Sequence, residues 1–159
     1  MLQRRAGSRF EPAAKQKVRL WIRLLRASRA IEVDLRERLR VAFGVTLPRF
    51  DVMAALARKK AGMTMTELSR FLMVSNGNVT GIIDRLVSEG MVVRSRHAGD
   101  RRATFVRLTP KGQQQFAIMA KAHEGWINEI LAGFGSVETE NLIALLSALG
   151  VNLRGAHSA

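Results

Sequence analysis

The chain contains no cysteine. That absence excludes a disulfide framework and any thiol-based redox switch, peroxide sensing through a thiol included. Histidine is nearly as scarce. His97, His123 and His157 stand at none of the helical spacings (H-x-x-x-H, H-E-x-x-H) that metal sites use, so neither a metal nor another cofactor is expected. No apolar run approaches the roughly 18 residues of a spanning helix, and no signal-peptide pattern is present, so a cytoplasmic protein is expected rather than a membrane or secreted one. The G-x-S-x-G, Walker and G-x-G-x-x-G motifs are missing, as are paired carboxylates in a recognisable frame; the expectation is a protein that is not an enzyme. Acids, finally, are half as numerous as bases, 13 against 26, for a formal net charge of +13. The excess is +8 over residues 1–44, +6 over 45–110 and −1 over 111–159. A polyanion-facing surface on the first two thirds follows, with nucleic acid the leading partner and an anionic membrane surface the second.

What is present is concentrated in residues 64–107. Thr64 and Glu67 form a capping box, with Met63 and Leu68 placed for the accompanying hydrophobic staple. The short helix they start has Leu68, Phe71 and Leu72 as its apolar face. After a turn at Met73–Val74, Ser75 offers a side-chain oxygen to cap a second helix. That helix buries Val79, Ile82, Ile83, Leu86 and Val87 and turns Asn76, Asn78, Thr80 and Arg85 elsewhere. Gly90 fits a left-handed C-cap, and two β-branched runs, 91–96 and 103–108, flank the basic tip HAGDRR. Two short helices and such a hairpin make a winged helix-turn-helix. Its second helix can enter a DNA major groove while the wing reaches backbone or minor groove. Ser75, Asn76, Asn78, Thr80 and Arg85 are the candidate contacts on the helix, and Arg96, Asp100, Arg101, Arg102 and Thr104 those on the wing. A blander alternative makes Asp100 the start of a turn and leaves the arginines solvated.

The flanks read as long helices. Val18, Trp21, Ile22, Leu25, Ile31, Leu35 and Leu39 recur at helical spacing between Lys15 and Phe43, and Gly44 closes that helix. Pro48 sits in the first turn of the next, which carries Phe50, Val52, Met53, Leu56 and Ala57. Thr109 and Pro110 open a helix with Phe116, Met119, His123, Trp126, Ile127 and Ile130; Gly133 and Gly135 interrupt it, and Ser136 starts a last one with Leu142, Leu145, Leu146 and Leu149. Residues 1–14, rich in arginine, read as a frayed arm, with extra phosphate contacts as the alternative. One domain of 159 residues is expected, with 45–109 as the reading head and 15–43 and 110–154 as dimerisation helices. The terminal helices carry more apolar surface than a short reading head can bury, hence a homodimer. The fold class is mainly α with a small β-hairpin wing.

The run VSNGNVTGIIDRLVSEGMVVR, followed by GDRRATFVRLTPKG with its D-x-R and L-T-x-x-G elements, resembles the multiple antibiotic resistance regulator (MarR) family of transcription factors. The resemblance extends from about Lys15 to Arg154 and is specific over 75–112. It implies a two-fold dimer built from the terminal helices, and a wing in which Asp100 steadies the loop and Arg102 enters the minor groove. It also implies a small, often aromatic and anionic effector held between dimer helices and reading head, for which Trp21, Leu25, Arg26, Phe50, Met53, His123 and Trp126 are candidates, plain core being the alternative. The expected function is a sequence-specific regulator, a repressor on a palindromic operator in double-stranded DNA that a small molecule releases. The alternative is a sequence-indifferent architectural nucleic-acid-binding protein, which the charge alone fits equally well.

Overall fold

The computed structural model describes residues 13–97 and 100–156, with backbone alone at 14, 96–97, 100–103 and 151–156. Its first helix, α1 (Ala13–Phe43), is closed by Gly44 at φ +63°, a left-handed backbone that glycine adopts without a Cβ penalty. Helix α2 (Leu47–Arg58) follows, with Pro48 in its first turn, and a two-residue strand β1 (Met63–Thr64) leads into α3 (Met65–Leu72). The capping box at that junction is complete. Thr64 Oγ1 accepts from Glu67 N at 3.1 Å, and Glu67 Oε2 accepts from Thr64 N at 2.8 Å. That backbone bond, with Lys59 Nζ 2.9 Å from the same carboxylate, holds Glu67 below the ordinary glutamate pKa.

Helix α4 (Asn76–Ser88) ends at Gly90, whose φ of +71° lets Met91 N reach back to Leu86 O at 2.8 Å. Strands β2 (Val92–His97) and β3 (Asp100–Leu108) form the wing, and α5 (Pro110–Ile130) and α6 (Ser136–Ala156) complete the order. Thr109 caps α5 through Oγ1, 3.0 Å from Gly112 N. The sheet is three-stranded and antiparallel in the order β1-β3-β2, with Met63 opposite Val106 and Thr64 opposite Phe105. The sequence reading took Met63 and Thr64 as staple and cap only. They also tie the wing's long strand to the entrance of the helix-turn-helix.

One core lies beneath these elements. Leu39 of α1, Val52, Met53 and Leu56 of α2, Leu68 of α3, Val79, Ile83 and Leu86 of α4, and Val106 of β3 are all essentially inaccessible. Two local expectations are corrected. Phe71 is not on the buried face of α3: it is about half exposed, the Arg58 guanidinium stands 5.8 Å from its ring centre, and Ser69 is buried instead. Ser75 occupies the N-cap position of α4 with extended backbone, but its hydroxyl makes no capping bond. No residue of α6 belongs to the core, and α6 makes no substantial contact with any other element among the described residues. Its Leu145 is 69% exposed and its Leu149 44%, while on α1 Trp21 is 60% exposed.

Candidate nucleic-acid interface

Helix α4 presents Asn76, Asn78, Thr80 and Arg85 to solvent while Val79, Ile83 and Leu86 seal its other side. Its position is fixed at both ends. At the start, the buried Ser69 hydroxyl donates to Asn76 Oδ1, joining α3 to α4 across the turn. Asn76 therefore does more than face outward. Its side-chain oxygen already accepts one bond from the protein, while its amide N–H groups stay available to an outside acceptor. At the far end, Arg49 of α2 grips the Glu89 carboxylate with both terminal nitrogens, Nη1 2.8 Å from Oε1, and holds Glu89 below its ordinary pKa. Lys111 Nζ reaches Glu89 O at 3.0 Å, and Arg94 of β2 pairs with Asp84 of α4. The sequence reading missed all of these anchors, because each joins residues distant in sequence or, for Ser69, polar where an apolar face was expected.

Thr80 Oγ1 donates to Asn76 O at 2.8 Å within its own helix, and its oxygen lone pairs stay open. Asn78 is exposed on the same surface and also borders a cavity between α2, α3 and α4. In the wing, Arg96 pairs with Thr104 and His97 with Asp100 in the ladder, with an irregularity between Arg96 and His97 that turns the strand near its tip. For Arg96, Asp100, Arg101 and Arg102 the backbone alone is described, as members of β2 and β3. The side-chain roles expected for them, like Ala98–Gly99 at the tip and the arm at 1–12, lie outside the described residues. Met73, in the turn between α3 and α4, holds φ +56° and is 92% exposed.

The seven effector candidates do not share one crevice within a single chain. Phe50 and Met53 are core residues; His123 stacks on Phe50 with ring centres 4.7 Å apart, and Trp126 leans on Phe43 at 6.1 Å. Trp21 stands 22 residues before Phe43 on the unbroken α1, about 33 Å along its axis at 1.5 Å per residue. Leu25 and Arg26 lie on that same outer half, where Arg26 borders a groove of about 870 Å³ along α1's own surface. A crevice combining both groups requires a second chain.

Burial holds the His123 imidazole below its ordinary pKa. The neutral form is thus favoured in the fold, while the unfolded chain binds the proton more readily, and stability rises with pH across the window up to about 6.5. Melting temperatures measured from pH 8 down to pH 5 are expected to fall more steeply for the wild type than for His123→Phe, which keeps the stack on Phe50. Parallel profiles refute this account of His123.

A helix-turn-helix with an anchored, polar outer helix and a β-wing on a strongly basic chain defines a winged helix-turn-helix regulator of transcription, a DNA-binding class. The family model of the MarR family matches residues 43–103. A MarR family transcriptional regulator from Silicibacter pomeroyi has the same fold, with 31% identity, 90% of this chain and 99% of that chain covered, and a TM-score of 0.75. NadR, solved in complex with 4-hydroxyphenylacetate, is similar at 25% identity, 80% and 89% coverage and a TM-score of 0.70. Among curated relatives, the transcriptional activatory protein BadR of Rhodopseudomonas palustris is 29% identical over 116 residues; the match takes in 71% of this chain and 66% of BadR's length. The chain belongs to the MarR family. Its family and relatives are regulators of transcription rather than enzymes, and no helix among the described residues is long and apolar enough to cross a membrane.

Proposed function

We propose that the chain is a homodimeric repressor that reads a palindromic operator with α4 in the major groove and the wing against the minor groove, and that a small aromatic, anionic molecule releases it. The observation that carries this reading is the pairing of an anchored polar face on α4 with α6 and the outer half of α1, whose exposed apolar residues, Trp21, Leu145 and Leu149 among them, are left uncovered among the described residues. A 21-residue helix with exposed leucines has little reason to persist alone in water, and a second copy supplies the missing surface. Charge favours the same partner: residues 13–31 of α1 hold six bases and no acid, whereas α6 opens with Glu138 and Glu140. The dimer brings the outer half of α1 from one chain toward the other, the only way Trp21, Leu25 and Arg26 can join a pocket that includes His123 or Trp126. The bound 4-hydroxyphenylacetate of NadR, a phenolic acid, supports that class of effector. BadR carries the name of an activator, and the sign of regulation follows from where the operator lies relative to the promoter, so activation is the second reading.

Selection of bound duplexes from a random pool tests the function. The expected product is a palindrome with half-sites about 10 base pairs apart, centre to centre; equal affinity for operator and scrambled duplex overturns it in favour of an architectural protein. The two contact elements should fail differently. Asn78→Ala is expected to cost on the order of 1–3 kcal/mol on the operator and to relax preference at one position per half-site. Arg102→Ala is expected to weaken binding to nearly all duplexes and to lower the log–log salt slope by about one unit for each subunit. Unchanged affinity in Arg102→Ala removes the wing from the mechanism.

A further inference from the structure

Between α2, α3 and α4 lies a cavity of about 400 Å³. Val52 and Val79, both buried, and Leu72 and Ile82, both partly buried, are its apolar lining, and the exposed Asp51 and Asn78 are its polar members. Apolar walls with two polar groups are the ordinary composition of a small-molecule site, and the volume suits a ligand smaller than most drugs. Asp51 is its unusual member. Cations outnumber acids two to one in this chain, and six ion pairs are formed among the described residues, yet Asp51 has neither an ion pair nor a hydrogen bond there. Its carboxyl is held above the ordinary aspartate value, first by desolvation and then by the neighbouring charge of Glu32 on α1. A cation beside Asp51 offsets both penalties; a carboxylate or a DNA phosphate adds to them.

We propose that this cavity binds a small apolar molecule bearing one ammonium group, with Asp51 as counter-ion and the walls of α3 and α4 holding the hydrocarbon part. The site differs in position and in charge from the pocket for anionic aromatics considered above. Because Asn78 belongs to its lining, an occupant there competes with DNA for that side chain; this consequence rests on the reading of α4 as the recognition helix, whereas the binding itself does not.

Three probes of one shape separate the contributions: 4-phenylbutylamine, 4-phenylbutanol and 4-phenylbutyrate, each tested by thermal shift and calorimetry on the DNA-free protein. The amine is an ammonium ion at neutral pH. Expected are a raised melting temperature with the amine, a smaller rise with the alcohol and none with the acid. Asp51→Asn, nearly isosteric, is expected to lower amine affinity about five- to tenfold, to the level of the alcohol. Equal amine affinity in wild type and Asp51→Asn, equal affinity for amine and acid, or no binding of any probe overturns the proposal. Operator binding is then measured with and without the amine. Failure of the amine-free protein to distinguish operator from scrambled duplex counts against the regulatory function and leaves the cavity result standing.

Discussion

A chain carrying Leu145→Glu and Leu149→Glu is expected to sediment as a monomer at micromolar concentration, where the wild type sediments as a dimer, and to lose its preference for a palindromic site. Both leucines are exposed on α6, which packs on nothing substantial in its own chain, so the substitutions damage no contact of the reading head. Their cost falls on the interface. In the proposed two-fold dimer four carboxylates would stand in an apolar seam, and charges left unpaired there cost on the order of 4 kcal/mol, roughly a thousandfold in the dimer dissociation constant. The consequence for DNA is larger than for either half-site, since two weakly bound heads no longer act as one ligand. The core of Leu39, Leu68, Ile83, Leu86 and Val106 takes no residue from α6 and should keep its hydrogen-exchange protection. A wild type that is monomeric at the same concentration refutes the proposed architecture.

The second large effect is expected at Gly112, the glycine of the L-T-x-x-G element. A Cβ there would lie 2.0 Å from Met91 O and 2.9 Å from Met91 C, both backbone atoms that cannot rotate away. Met91 O is also the acceptor for Thr109 N at 3.0 Å, so the first turn of α5 lies flat against the segment that leads into the wing. Gly112→Ala must pry that junction open. A loss of about 3 kcal/mol follows from overpacking against fixed atoms, or a melting temperature lower by about 10 °C. Gly133→Ala, where the added Cβ meets nothing within 4 Å, is the control and should change stability by less than about 0.5 kcal/mol. Equal melting temperatures for the two variants refute the close approach.

The Gly112 clash also shows where sequence reading stops. Leucine, threonine and glycine at that spacing are visible in the sequence, and so is the Thr109 cap; the carbonyl that makes glycine obligatory comes from Met91, 21 residues earlier. The same division runs through the reading head. The capping box at Thr64 and Glu67, the stripe of Val79, Ile83 and Leu86, the left-handed Gly90 and the proline starts of α2 and α5 depend on neighbours within a few residues, so helix periodicity and capping chemistry reveal them directly.

What tertiary structure decided involves partners far apart in the chain. Met63 and Thr64 are too few to announce a strand, and become one because β3 offers them an edge. Phe71 was expected inward; α3 is instead rolled so that the buried Ser69 meets Asn76, one of the expected DNA contacts, and ties it to the preceding helix. Arg49 meets Glu89 across 40 positions of sequence. Trp21 and Trp126, both on apolar stripes, belong to one crevice only if a second chain closes it, because α1 carries Trp21 about 33 Å along its axis from Phe43, on which Trp126 leans. Local hydrogen bonding and side-chain periodicity thus determined the elements and the polar face of α4, while which side chains that face keeps free was settled by contacts across the fold, since these depend on how whole elements are rotated and docked.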